Sequence, residues 1–406
     1  MAKTKNDTRG AKASGASTTT APTETPEQLY AQAIAHLEQT DPEAALSTAQ
    51  RLLAALPPSQ PQLQLPALNL LGEVNVELGN VEDARAYFIQ ATELDPEGQI
   101  PEALGGGAEK FLWLAQLCEE GGSESVGWFE KGVRALQHEI STLENQDVAR
   151  ASDEEKEARE MQLEEKREKL AEALCAVAEV YMTDLSWEQD AEARCESLIT
   201  EALLVTPDSP SVLQTLASIR LSQLKLDDAR SALTRSISLW RRLDPEDPLV
   251  PDFPTRVSLA RLLMEAEMEE EAMDVLERLA LEDDESVEAA YLGGWCLHLV
   301  AEKKRAAAVA DESDMSDAGA QNAEIMAVLR NSRAWLLSCL KLYRTLEYED
   351  ERLKEHAEEL VGRLNDVLGP PPAEDDDEDE AEWDGIDDDD DDDDDDDGDD
   401  QEMQGM

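Results

Sequence analysis

The stretch from Pro66 to Pro96, PALNLLGEVNVELGNVEDARAYFIQATELDP, constrains the fold more than any other part of the chain. Its apolar and small residues fall first at Leu68, Leu71 and Gly72, then at Ala84, Phe88 and Ala91. Residues three or four apart share one face of a helix, so the spacing predicts two helices in succession. Gly79-Asn80 is the stop and turn between them. Asp95-Pro96 ends the second, because proline cannot continue a helix and restricts the residue before it. Gly72 and Ala84 are small enough to let the two helices cross closely, and Phe88 fills the space between this pair and the next. One such pair leaves its outer faces bare, so neighbouring pairs are required.

The order of a bulky residue, leucine-glycine, alanine-x3-phenylalanine and proline resembles the tetratricopeptide repeat, departing from it at Asn75, where that family prefers tyrosine. A second good copy is Leu213, Leu216, Ala217, Ala229, Leu233 and Ser236. Partial copies are read at Glu27–Leu56 and Pro101–Glu144. Others centre on Leu174–Pro207, Leu259–Leu279, and Leu292–Cys296 with Ala323–Leu346, the last interrupted by an insertion near Lys303–Asn322. The charged run Asn145–Glu172 reads as a solvated extension of the helix that follows it, laced with Glu to Lys or Arg pairs at i,i+4. Glu349–Leu368 carries Leu353, Ala357, Leu360, Val361, Leu364 and Leu368 at helical spacing and is expected to cap the stack. The expected fold is all-α: a tetratricopeptide-like superhelical solenoid of about seven helix pairs with a C-terminal capping helix. It spans residues 27–368, between a disordered basic leader at 1–26 and a disordered polyacidic tail at 369–406.

Charge narrows the function. The net charge is −59, and 23 acidic residues lie between Glu374 and Glu402, including an unbroken run of aspartates from Asp387 to Asp397. Without those residues the chain would still carry −36. Direct binding to nucleic acid or an anionic membrane is not expected, because phosphates would be repelled; a basic partner is. No segment has the ~18–20 apolar residues that span a bilayer. The cysteines (Cys118, Cys175, Cys195, Cys296, Cys339) are odd in number and lack C-x2-C spacing, so neither a disulfide framework nor a zinc site is expected.

No catalytic constellation stands out. The four histidines are scattered, there is no G-x4-G-K-S/T or G-x-G-x-x-G loop, and H-E-x-x-H is absent. The aspartate run lacks the glycine and glutamate positions of a calcium loop. The reading is a monomeric, non-enzymatic binding protein without cofactor or metal.

In the tetratricopeptide family the residues one turn around from the packing stripe of each first helix face a concave groove. Carried over, this implies Asn69, Glu73 and Glu77 in the second pair, Gln116, Glu119 and Glu120 in the third, Glu179 and Asp184 in the fourth, and Arg261 and Glu265 in the sixth. Most are acidic. Family members that clamp chaperone tails use Lys, Arg and Asn at such places, so that role is not implied here.

A basic leader, an acidic tetratricopeptide solenoid and a polyaspartate tail together resemble the fungal dedicated chaperones of the fourth protein of the large ribosomal subunit. The resemblance implies capture of that protein through its long internal loop and escort from cytoplasm to nucleus for assembly into the pre-60S particle. An acidic groove would imitate the phosphate surface that such a basic loop meets later, with electrostatic attraction speeding encounter. An acidic histone chaperone or nuclear scaffold is the alternative that the tail alone would suit.

Overall fold

The structure is a computed structural model that describes residues 24–57, 59–146, 152–310 and 318–370. Most of the leader and nearly all of the tail lie outside the described residues. Fifteen α-helices and two short 3-10 turns are present among the described residues, and no strand. In order they are α1 (Pro26–Glu38), α2 (Pro42–Ala55), α3 (Leu65–Glu77), α4 (Val81–Leu94), α5 (Glu109–Gln116), α6 (Gly122–Glu144), α7 (Asp153–Met182), α8 (Ala191–Val205), α9 (Pro210–Ser222), α10 (Leu226–Trp240), α11 (Phe253–Glu265), α12 (Glu269–Glu282), α13 (Val287–Ala310), α14 (Ala318–Thr345) and α15 (Glu351–Leu368). They form seven pairs and a terminal helix, as the periodicity predicts. Within each pair the helices pack on one another, and α7, α9, α11 and α13 also stack on their successors among the first helices.

Local chemistry starts these helices. Thr25 and Ser152 close reciprocal capping boxes with Gln28 and Glu155. Asp41, Ser209 and Asp252 accept from backbone N–H groups of the first turn, with proline early in the helix each time.

One turn recurs inside the pairs. Thr40, Gly79, Leu224 and Glu267 all take left-handed φ, between 55° and 72°. In each case the next residue's N–H reaches back five positions, as in Asn80 to Asn75 O at 2.8 Å and Met268 to Leu263 O at 2.8 Å. This is the Schellman closure, and it sets the same short turn four times over. Only one of the four is glycine, which hides the regularity from a reading of residue types.

The core is a series of local contacts. Phe88 is fully buried, and a Cβ on Gly72 would come within 2.5 Å of its ring. A Cβ on Gly132 would meet Leu112 at 2.6 Å, and one on Gly293 would meet Trp335 at 2.3 Å. Small residues thus sit where a large side chain of the partner helix crosses.

Three arginines tie successive units together. Arg85 on α4 donates to Leu114 O and Leu117 O at the end of α5, at 3.3 and 2.9 Å. Arg230 on α10 donates to Ala266 O at the end of α11, at 2.8 Å. Arg333 on α14 donates to Gly369 O at the end of α15, at 2.7 Å. Each guanidinium satisfies a carbonyl left over at a helix C-terminus, where the helix dipole also favours a cation.

Two expectations are corrected. The insertion near Lys303–Asn322 is largely helical, because α13 runs on to Ala310 and α14 begins at Ala318. The charged run is not simply solvated: Leu163, Lys166 and Leu170 are buried. Lys166 Nζ bridges Glu102 at 2.8 Å and Glu139 at 3.0 Å, so the front of α7 packs on the third pair.

Replacing Gly72 by alanine should destabilise the protein by roughly 1–3 kcal/mol through overpacking. The double variant Gly72→Ala/Phe88→Leu should recover part of that loss, because the ring is what the new methyl strikes. Denaturant melts of the two single variants and the double variant check this; strict additivity would contradict the contact.

Candidate concave groove

The stacked first helices α7, α9 and α11 enclose a cavity of about 740 Å3. Glu179 and Met182 come from α7. Ser211, Gln214, Thr215, Ser218 and Ser222 come from α9. Pro254, Thr255, Ser258, Arg261, Leu262 and Glu265 come from α11. Counting Thr183 as well, seven hydroxyl side chains face this space. The α9 set recurs at helical spacing opposite the buried Val212, Leu213 and Ala217, which is why one helix presents both a core stripe and a polar wall. Gln214 is buried, and its Nε2 has no hydrogen-bond partner. A donor without a partner at a groove wall is a position where an acceptor on another chain would be welcome.

Two carboxylates frame the cavity. Glu179 keeps an accessible side chain, yet the protein around it raises its pKa, with the Thr215 hydroxyl working against that shift. Glu265 is exposed on the opposite wall. Arg261 is the cation of this stretch and is already paired, to Glu288 of α13 at 3.0 Å.

A second, smaller cavity of about 320 Å3 lies between α5, α6 and α7, lined by Glu109, Trp113, Gln116, Lys169 and Glu172 among others. Lys169 Nζ holds Glu109 at 2.7 Å and Glu165 at 3.1 Å. Burial raises the pKa of Glu172, and neighbouring Glu168 adds to it. Glu73 on α3 borders the same charges: burial first, then Glu109, lift its pKa to about 7, while Lys169 opposes the shift. Glu73 in turn raises the phenol of Tyr30 on α1, behind the larger effect of that ring's own burial. The acidic line therefore runs from α3 to α7 before it meets the hydroxyl-lined middle.

Of the residues implied by sequence, Glu179, Arg261 and Glu265 share the larger cavity, while Gln116 lines the smaller one and Glu73 adjoins its charges. Glu77 is exposed near the end of α3. The others are placed elsewhere. Asn69 donates through Nδ2 to Gly105 O at 2.7 Å, holding the loop that follows α4. Glu119 and Glu120 fall in the turn after α5, which stops at Gln116, well short of the expected stripe. Asp184 lies past the end of α7 and accepts from Gly122 N at 3.0 Å, at the entry to α6. Sequence reasoning that looked for carboxylates missed the hydroxyl wall. Its signal was present, in the polar residues at Ser211, Gln214, Ser218 and Ser222.

Among the described residues no group of His, Cys, Asp and Glu is arranged to hold a metal ion, and no helix is long and apolar enough to cross a membrane. The five cysteines are free thiols. Burial pushes Cys175 and Cys296 up to about 12, which keeps them protonated.

The tetratricopeptide repeat family matches residues 65–97, the stretch that forms α3 and α4. A protein of Emericella nidulans named probable assembly chaperone of rpl4 is 52% identical over 350 residues, covering 85% of this chain and 83% of that protein. Its namesake in Schizosaccharomyces pombe is 33% identical over 301 residues, 74% of this chain and 80% of that one. A solved structure titled assembly chaperone of RpL4 (Acl4), residues 1–338, superposes with a TM-score of 0.65 at 49% identity. It covers 70% of this chain and 99% of that one.

Glu73 makes stability depend on pH with a defined sign. Its folded pKa lies above the ordinary 4.5, so between 4.5 and about 7 the folded chain holds a proton that the unfolded chain has lost. The penalty is absent below that window and complete above it. Glu73→Gln should therefore raise the melting temperature above pH 7, by an amount that shrinks as pH falls toward 4.5. Thermal melts of both proteins across that range check it; a gain independent of pH would contradict the burial of a charged carboxylate.

Proposed function

The chain belongs to the family of fungal assembly chaperones of the ribosomal protein rpl4, and we propose that it captures the newly made rpl4 in its concave groove. Capture keeps the protein soluble, and delivery follows to pre-60S assembly in the nucleus, so that the chaperone works in both cytoplasm and nucleus. It acts by binding rather than by catalysis.

The observation that carries this reading is the composition of the groove. Carboxylates of Glu73, Glu109, Glu172, Glu179 and Glu265 lie along first helices, with hydroxyls and the free Nε2 of Gln214 between them. An extended, basic internal loop of the ribosomal protein has lysines and arginines for the carboxylates. Its main-chain carbonyls suit the hydroxyls and Gln214, and they are available because an extended segment does not satisfy its own backbone. The rigid helices hold these groups in place, so little ordering is required when the loop arrives. Once bound, the loop's cations are hidden from RNA until ribosomal RNA competes for them.

Glu179→Lys/Glu265→Lys should raise the dissociation rate of rpl4 by about tenfold or more, equivalent to about 1.4 kcal/mol. Both positions are exposed, so the helical circular dichroism should not change. Deleting Glu374–Met406 should mainly slow association, because exposed pairs are worth only about 0–1 kcal/mol each and are screened within about 8 Å at physiological salt. Association and dissociation rates of both variants at low and high salt decide the matter. A tail deletion that raises the dissociation rate more than the groove reversal does would place specificity in the tail, as a histone-type chaperone requires.

A further inference from the structure

We propose that the acidic tail docks back on this chain's own α14, along a basic stripe on the outer face of that helix. The stripe is where the charge of the protein inverts. Between Glu324 and Glu347 the chain carries Arg330, Arg333, Lys341 and Arg344 and no carboxylate, although acidic residues outnumber basic ones 94 to 35 overall. Arg330, Lys341 and Arg344 are exposed. At 3.6 residues per turn they fall within about 60° of one another and span about 21 Å of helix. None of the three forms an ion pair among the described residues.

A comparison within the same fold shows that this is unusual. The other cationic run, on and just after α10, holds Arg230, Arg235, Arg241 and Arg242 between Asp228 and Asp244. There Arg230 pairs with Glu267, Arg235 with Asp208 and Arg241 with Asp274. In and just after α10 the body of the protein pairs three of the four arginines; on α14 it pairs none of the three exposed cations.

A second observation names the occupant. The described chain ends at Pro370, directly after Gly369, whose carbonyl is held by Arg333 of α14 at 2.7 Å. Arg333 also donates to Asn365 Oδ1 at 3.1 Å, so the exit is fastened at two points. The tail thus starts one helical turn from Arg330. Asp387, the first residue of the long aspartate run, lies 17 positions past Pro370. That length reaches up to about 60 Å when extended, and the run itself extends to about 40 Å, longer than the stripe. Tethering at this distance gives an effective concentration in the millimolar range for short links. The rest of the body is acidic and repels the tail, while the stripe attracts it. Docking there also keeps the polyaspartate away from the groove, where it would compete for a basic segment's cations.

The test is zero-length carbodiimide coupling of the full chain, using a mixture of unlabelled and 15N-labelled protein and mass spectrometry of the linked peptides. Lys341 Nζ should join tail carboxylates of the same copy, well above exposed Lys156 of α7. Arg330→Gln/Arg344→Gln should lower the Lys341-to-tail yield several-fold while leaving the helical circular dichroism unchanged. Salt near 1 M, where the screening length falls to about 3 Å, should remove the preference. A yield at Lys341 no greater than at Lys156 would overturn the proposal, as would links mainly between labelled and unlabelled copies. Retention of an RNA oligonucleotide by the full chain that is lost in Arg330→Gln/Arg344→Gln would assign the stripe to nucleic acid instead.

Discussion

Close crossing of the two helices of a pair is the constraint from which the rest of the architecture follows. It requires a residue with little or no side chain at the crossing and a large one opposite. Gly72 against the Phe88 ring, Gly132 against Leu112, Gly293 against Trp335 and Gly294 against Leu336 are four solutions of the same problem. Because each crossing is satisfied within its pair, the buried side chains divide into a run of clusters along the stack rather than one central core. A stack of this kind is stabilised by its nearest neighbours and leaves a long concave face free.

The links between pairs are partly ionic, which is unusual in a core that is otherwise apolar. Lys110 is fully buried, with Nζ on Asp95 at 2.9 Å and on Gly107 O at 2.6 Å. Burial lowers its pKa and the Asp95 partnership opposes that. Asp95 also accepts from Gln99 N at 2.9 Å and Ile100 N at 3.3 Å, so one carboxylate orders the loop that joins the second pair to the third. Removing either partner would strand a buried charge, at a cost of about 3–5 kcal/mol, whereas an apolar replacement of both would not. The pair fixes how the two units meet more than it adds stability.

What could be read from residue types was the part of the structure set by side-chain size. Leucine-glycine followed by alanine-x3-phenylalanine reports a helix crossing directly, and the number of pairs and the closing helix follow from it. Backbone-determined features were hidden. The left-handed turn residues are Thr40, Leu224 and Glu267 as well as Gly79, so the turn recurs without a recurring residue. The same holds for the groove. Carboxylates dominate the composition, but helix length decides where they point: α5 ends at Gln116, so Glu119 and Glu120 fall in a turn. Asn69 and Asp184 are polar for reasons of loop anchoring, and nothing in their sequence neighbourhood separates that role from exposure to a partner. The hydroxyls of α9 were legible as a stripe but carry no charge, and a reading led by net charge passed over them.

The distribution of cations ties these threads together. Several of the scarce cations are used at joints: Arg85, Arg230 and Arg333 close helix C-termini of the following unit, and within the sixth pair Arg256 makes a two-pronged bridge to Glu282 at 2.7 and 2.8 Å. A cation held in a joint cannot neutralise the groove. The acids of the first helices are therefore left under-compensated; burial lifts the pKa of Glu73, Glu172 and Glu179, and acidic neighbours add to it at the first two. Carboxylates in that state are costly to keep ionised. In the capture proposed above, an arriving lysine or arginine would relieve that cost as it gained the ion pair. The joints that hold successive units together are thus the same ones that leave the acids of the first helices short of cations.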